Sequence, residues 1–157
     1  LIHGDVVLDE SITINEYIDA HWGVPVQPAD GASRALAREH LKLTSDSMTA
    51  LWRVSSATDE ETRIGELRSL EASLERLPLM RALPPHDASL DLYECALVPL
   101  GLRLRWMAEI SGFPVFRVPA ALEDWFARAL DRPSASASVL PHVREKFQGW
   151  LQQNLPC

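Results

Sequence analysis

The residues that could act as nucleophiles or bind a metal are scattered along the sequence. The two cysteines, Cys95 and Cys157, form neither a CxxC pair nor a metal-ligand spacing. The five histidines include no pair at ligand spacing, so we expect no metal site. Cys95 falls in an apolar helical pattern, which predicts a buried thiol. Unpaired cysteines are typical of proteins in a reducing cytoplasm, and a cytoplasmic location is therefore expected.

Composition and charge restrict the classes of partner. Of the 157 residues, 46% are apolar and 24% are charged, as in ordinary globular domains, and the length suits one domain plus part of another. The formal net charge is -7, whereas nucleic acid selects a basic face. No apolar run approaches the roughly 18 residues that span a bilayer. We therefore expect neither nucleic acid nor a membrane as a partner.

The first residues predict a hairpin and a helix. Two short apolar runs, Leu1–Ile2 and Val6–Leu8, flank a His-Gly-Asp sequence that is typical of a β-hairpin. A helix is predicted from Ser11, a good N-cap residue, to about Ala20. Because an isolated hairpin is marginally stable and no later segment predicts a strand, we expect further N-terminal sequence to complete the sheet. The prolines and glycine of residues 23–29 predict a linker.

The remainder of the sequence predicts five helices, over residues 31–55, 60–77, 92–107, 120–130 and 141–153. Apolar stripes that include Leu36 and Ile64 are expected to face the core. Asp91 and Glu94 are predicted to form an acidic capping box at the third of these helices. Pro99 inside that helix should remove a hydrogen bond and bend the axis. The segment 134–138 is expected to be only a turn.

The order of these elements resembles the glutathione S-transferase superfamily. The segment 4–19, with its Glu-Ser pair at positions 10 and 11, resembles the last hairpin and third helix of that family's N-terminal domain. The segment 91–99 resembles the family's capped sixth helix, usually Ser-x-x-Asp followed by Ala-x-x-Pro. The Asp-Arg-Pro-Ser sequence at 131–134, preceded by Trp125, resembles the turn that closes the seventh helix. The region 80–89 departs from the family because it lacks the usual glycine-bounded loop.

The resemblance implies a fold class and a division into domains. The class is α+β, predominantly α. Residues 1–22 would form the end of a thioredoxin-like, glutathione-binding domain, and residues 23–29 the linker. Residues 30–157 would form an all-α bundle of the kind found in the C-terminal domain of glutathione transferases.

The resemblance also implies a glutathione transferase that conjugates or reduces small hydrophobic electrophiles, with glutathione as co-substrate. The N–H group and hydroxyl of Ser11 would bind the α-carboxylate of glutathione, and Glu10 would face its ammonium group. From spacing alone, the pair is instead an ordinary N-cap with a neighbouring acid. The family's catalytic Tyr, Ser or Cys belongs to a first strand that the 157 residues lack, so this chain alone is expected to be inactive.

The second substrate would contact Met48, Trp52 and Trp106, although such residues at helical spacing more often belong to a plain core. By the same resemblance we expect a homodimer. Arg34 and Arg38 share one helical face with Lys42, which is typical of a solvated face or the rim of a dimer interface.

A non-catalytic alternative comes from a second resemblance. The segment 92–100, with Arg103 and Leu104, is also similar to stringent starvation protein A, which keeps the transferase fold but binds RNA polymerase. The exposed Pro-His-Pro patch of that relative would fall near residues 23–25 and is not reproduced here. A helical interaction module with no further sheet is a third possibility, which the unpartnered hairpin disfavours.

Overall fold

The computed structural model describes residues 1–22, 25–79 and 89–154. Within these ranges the chain forms one two-stranded sheet and seven helices, so the fold is α+β and predominantly α. In chain order the elements are β1 (Ile2–His3), β2 (Val6–Val7), α1 (Ser11–His21), α2 (Gly31–Ser56), α3 (Glu60–Glu75), α4 (Leu92–Ala108), α5 (Ala120–Leu130), α6 (Pro133–Ala137) and α7 (Pro141–Gln153).

The predicted hairpin is present and exposed. Its strands are antiparallel, with Ile2 opposite Val7 and His3 opposite Val6. Gly4 lies in the turn at φ 58°, a left-handed conformation that glycine adopts without strain. Ile2 and Val7 are 76% and 71% exposed. Among the described residues no third strand joins the sheet, so both edges and the apolar side chains of the hairpin lack a partner there.

Helix α1 follows the hairpin, and its N-cap residue lies one position earlier in the sequence than predicted. Glu10, whose backbone is extended, is the N-cap residue, and Ser11 is already helical. No residue of α1 is buried, although Ile12 packs partly against the core. The contribution of α1 to the apolar core is therefore small.

Polar contacts join α1 to the linker and to α2. The guanidinium group of Arg38 donates to the Glu16 carboxylate, with a distance of 2.9 Å between Nε and Oε1. The Asp19 carboxylate accepts hydrogen bonds from the backbone N–H groups of Val26, at 2.6 Å, and Gln27, at 3.3 Å. These contacts hold α1 beside the described part of the linker. Residues 23 and 24 of the predicted linker lie outside the described residues.

Helices α2 and α3 pack against each other, and an aspartate side chain caps the start of each helix. Asp30 accepts a hydrogen bond from the Ser33 N–H at 2.9 Å, and Asp59 accepts one from the Thr62 N–H at 2.8 Å. The expectation that Leu36 and Ile64 face the core is wrong, because both are exposed. The position next to Ile64 is instead filled by a buried arginine, Arg63, which is only 1% exposed.

Helix α4 is the central helix of the described bundle. It packs against α2, α5 and α7, and it supplies much of the core, including Leu97, Leu100, Leu104 and Met107. Pro99 lies within it, as predicted, on an exposed position. A helix that is apolar on several sides is the one expected to lie at the centre of such a bundle.

The chain after α5 differs from expectation in one element. Residues predicted to form only a turn include a short helix, α6, which begins with Pro133 in its first turn, where the missing proline N–H costs nothing. Its Ala135 is buried, and α6 packs against α5. Helices α5 and α7 have the predicted bounds. Within the described ranges, no helix combines the length and apolar character needed to cross a bilayer.

Candidate functional site

The start of α1 is open to solvent. Glu10 has φ -84° and ψ 126°, and its side chain makes no capping hydrogen bond. The first intrahelical bond joins the Ile14 N–H to the Glu10 carbonyl at 2.8 Å, so the preceding N–H groups, from Ser11 to Thr13, have no partner within the helix. By contrast, aspartate side chains bind N–H groups at the starts of α2, α3 and α4.

This geometry suits a small anion. Free N–H groups and the partial positive charge of a helix start favour a carboxylate or phosphate. Ser11 adds an exposed hydroxyl, and Glu10 adds an exposed carboxylate next to it. The two predicted glutathione-contacting residues are therefore adjacent and accessible, with an anion-favouring group beside a cation-favouring one.

Aromatic rings that the sequence analysis did not single out pack the hairpin against α1. His3 Nδ1 lies 2.9 Å from the Tyr17 hydroxyl, and the His21 ring stacks on Tyr17 with centroids 3.9 Å apart. The Trp22 ring lies 5.0 Å from that of His3. The four-residue spacing of Tyr17 and His21 was a usable signal, because such residues are neighbours on a helix face. The cluster orients the hairpin relative to the open helix start.

The three residues predicted to bind the second substrate lie in different surroundings, and none lines either of the two cavities described below. Trp106 is buried, with its ring 5.9 Å from Phe147. Trp52 is 60% exposed and stacks on Trp150 at 4.8 Å. Met48 is half-buried against the core. Each tryptophan therefore contacts an aromatic side chain of α7, and of the two only Trp106 is buried.

The capping box of α4 is present in the structure. The Asp91 carboxylate accepts from the Glu94 N–H at 2.7 Å, and the Glu94 carboxylate accepts from the Asp91 N–H at 2.9 Å. Between them, Tyr93 is buried and its hydroxyl donates to the Pro78 carbonyl at 2.7 Å. Burial, followed by the negative charge of Asp91, raises the pKa of Tyr93 well above its usual value. These residues fix the start of α4.

The prediction of a buried thiol at position 95 is wrong. Cys95 is exposed, because it lies on the side of the first turn of α4 away from buried Tyr93 and Leu97. Even so, partial desolvation raises the pKa of the thiol, and the negative charges of Asp91 and Glu94 raise it further. A raised pKa leaves little thiolate at neutral pH, so Cys95 is a poor nucleophile. Cys157 lies outside the described residues.

Two cavities occur away from the predicted second-substrate residues. One, of about 400 Å³, lies between α1, the linker and α2, and is lined by charged groups that include Glu16, Asp19 and Arg38. Its acids and arginines largely neutralise each other. The other, of about 650 Å³, lies between α4, α5 and the chain that connects them. Neither is lined by Met48, Trp52 or Trp106.

A metal centre finds no support in the described ranges, where no three or more His, Cys, Asp or Glu side chains are placed to hold an ion. His86 lies outside those ranges.

No protein-family model matches the sequence, and no curated protein matches it at a significant level.

Proposed function

We propose that this chain is part of a glutathione transferase-like protein, which binds glutathione at the start of α1 and conjugates or reduces small hydrophobic electrophiles. The single observation that carries the proposal is the open helix start at Ser11, beside the exposed carboxylate of Glu10. An α-carboxylate and an α-ammonium group on one carbon, as at the γ-glutamyl end of glutathione, match these two features in charge and proximity.

The exposed hairpin supports the same proposal. Ile2 and Val7 project apolar side chains into solvent, and the backbone edges of both strands have no partner in the described ranges. Exposed edges with apolar faces are suited to join a larger sheet. In a glutathione transferase-like protein, that sheet would belong to the thioredoxin-like domain.

Neither the two tyrosines nor Cys95 offers a substitute for the family's catalytic group. The Tyr17 hydroxyl is engaged with His3, and the Tyr93 hydroxyl is buried against the Pro78 carbonyl. The Cys95 thiol has a raised pKa. The proposal therefore assigns stabilisation of the glutathione thiolate to polypeptide outside these 157 residues, and the 157-residue chain alone should show no transferase activity.

Binding can be tested at the atoms concerned by titrating the ¹⁵N-labelled chain with S-methylglutathione and following backbone amide shifts. We expect saturable shifts at Ser11, Ile12 and Thr13. The start of α2 is an internal control that should not respond, because Asp30 already occupies the Ser33 N–H. Shifts of equal size at both helix starts, or none at Ser11, would contradict the proposal.

Two variants separate the backbone contact from the hydroxyl contact. Ser11→Pro removes the N–H group, yet proline is favoured at the first helical position and the extended backbone of Glu10 is compatible with a following proline. We expect this variant to keep its helix content and lose binding. Ser11→Ala should retain part of the affinity, because it keeps the N–H group. Full binding by Ser11→Pro would exclude the Ser11 N–H group as part of the site.

Activity is tested with the complete gene product. Retention on glutathione-agarose together with turnover of a chlorinated aromatic is the expected result. Absence of both, with co-purification of RNA polymerase, would replace the enzyme proposal by the stringent starvation protein A alternative.

A further inference from the structure

The larger cavity lies where α4, α5 and their connector meet. Its volume of about 650 Å³ is within the range of small-molecule sites. Leu104, Phe126 and Leu130 form a buried apolar floor, and half-buried Phe116 and Val118 of the connector form one wall. None of the predicted glutathione or second-substrate residues lines it, so it is a separate site from the one proposed above.

Two features shape the cavity. Gly101 allows the Phe126 ring to lie directly against the α4 backbone, which places the ring in the floor of the cavity. The connector is held from outside, because the Arg117 N–H donates to the Glu71 carboxylate at 2.7 Å and the Arg117 guanidinium group pairs with Glu75. Anchoring on α3 prevents the connector from folding into the space.

The charge at the rim is unbalanced. Arg105 lies 4.0 Å from Glu109, which also binds Arg144 of α7, so one carboxylate is shared by two guanidinium groups. In contrast, no described side chain forms an ion pair or hydrogen bond with the carboxylate of Glu123 or Asp131, and both residues are exposed at the cavity rim. The cavity lining carries three acids against two arginines, so its net charge is negative.

We propose that this cavity binds a small molecule with an apolar body and a single cationic amine. The apolar floor and wall receive the aryl or alkyl group, and its removal from water is the main source of affinity. The ammonium group would lie at the rim near Glu123 or Asp131. An exposed ion pair adds modest energy and chiefly selects the charge of the ligand.

Three probes that share one body and differ in head group test the assignment: 4-phenylbutylammonium, 4-phenylbutan-1-ol and 4-phenylbutyrate. Each is titrated into the ¹⁵N-labelled chain, and amide shifts in α4, the connector and α5 report binding. We expect the ammonium compound to bind about three-fold more tightly than the alcohol at low salt, with the carboxylate weakest. The advantage of the ammonium compound should fall at 1 M salt.

Variants assign the two parts of the ligand. Ala127→Trp fills the cavity from an exposed position and should abolish binding of the ammonium compound and of the alcohol. Glu123→Gln combined with Asp131→Asn should remove the preference for the ammonium compound but leave the alcohol bound. Glu145→Gln, an exposed acid on α7 that does not line the cavity, is the matched control and should change nothing.

The outcomes that would overturn the proposal are equally specific. They are the absence of saturable shifts at the cavity for all three probes, binding of the alcohol or the carboxylate as tightly as the ammonium compound, or undiminished binding by folded Ala127→Trp. If Ala127→Trp does not fold, the double charge variant still decides, because an unchanged preference for the ammonium compound would exclude the two acids.

Discussion

Gly101 lies so close to the Phe126 ring that a larger residue cannot be accommodated without movement. A Cβ atom at this position would lie 2.8 Å from Cγ of Phe126 and closer still to Cδ1. Although alanine favours helix over glycine by about 1 kcal/mol, overpacking a core typically costs about 1–3 kcal/mol. We therefore expect Gly101→Ala to lower the free energy of unfolding, measured by urea denaturation.

Gly65 provides the matched control for that substitution. It lies inside α3, and a Cβ atom there would meet nothing within 4 Å. Gly65→Ala should raise the free energy of unfolding by about 0.5–1 kcal/mol, because only the helix preference changes. If both substitutions stabilise the protein to the same extent, the close approach of α4 and α5 at Gly101 is wrong.

Tyr93 makes stability depend on pH in the alkaline range. Its pKa is raised by burial and by Asp91, so the folded state keeps the phenol proton at a pH where the unfolded state, with a pKa of about 10, has lost it. Stability linked to this group is complete below pH 10 and declines as pH rises further. Tyr93→Phe should lose about 1 kcal/mol of stability at pH 8 through the missing hydrogen bond, yet its stability should fall less steeply as pH rises above about 10.

Urea midpoints measured from pH 8 to 11 test this dependence. Tyr17→Phe removes the other tyrosine of the chain and reports any general alkaline destabilisation. A Tyr93→Phe variant whose midpoint falls in parallel with that of the wild type would show that Tyr93 does not carry the effect.

At the level of whole helices, the capping box links the start of α4 to the core, because α4 packs against three other helices. Asp91→Ala removes the acceptor for the Glu94 N–H and should lower the free energy of unfolding by about 1 kcal/mol. Asp91→Ser retains a capping oxygen and should recover most of the loss. Urea denaturation of the three proteins measures both effects.

The cap of α2 is the comparison. Asp30 caps that helix with the same geometry, but the first turn that follows, residues 31–34, is exposed. Fraying at this end disturbs little of the core, so Asp30→Ala should shift the urea midpoint less than Asp91→Ala. A larger shift for Asp30→Ala would contradict the central position assigned to α4.

Regular helices were predictable because their signals are local. The bounds of α5 and α7 agree with the sequence pattern, and the capping box of Asp91 and Glu94 was recognised from residue type and spacing. Helix α6 was missed because five residues rich in serine and alanine carry no apolar period. Helix α3 ends at Glu75 rather than at residue 77, which is within the usual uncertainty of a helix end.

Features that depend on distant parts of the chain were not predictable. Ser11 was expected to be the N-cap, but the residue at which the backbone becomes helical depends on the geometry of the preceding hairpin. The burial of Arg63 depends on the Asn154 carbonyl, which is 91 residues away in sequence. The larger cavity forms where α4, the connector and α5 pack together. The sequence around Phe116 and Phe126 contains no local pattern that predicts this packing.

Over the whole molecule, the described residues differ in how firmly they are held. The hairpin and α1 contain no buried residue and join the rest mainly through polar contacts such as Arg38 with Glu16. The bundle from α2 to α7 contains the apolar core. Segments with few buried contacts open at low free energy, so the proposed glutathione site belongs to the part of the chain most able to be ordered by a partner or ligand.

Arg63 joins the loop between α2 and α3 to the end of α7. Its buried guanidinium group donates to the Ala57 carbonyl, between α2 and α3, and to the Asn154 carbonyl, just after α7. Arg63→Met keeps an apolar stem but leaves both carbonyls without their donor. Since hydrogen bonds from charged groups contribute about 1.5–3 kcal/mol each, we expect a loss of roughly 3 kcal/mol in the free energy of unfolding.

Hydrogen exchange distinguishes this role from a general loss of packing. In Arg63→Met, amides near the end of α7, around Leu151, should exchange faster relative to those of α4, because the end of α7 is released first. Arg68→Met, on an exposed position of the same helix, should remain within about 0.5 kcal/mol of the wild type. Wild-type protection at the end of α7 in Arg63→Met would mean that other contacts, such as the buried Leu151 side chain, hold that helix in place.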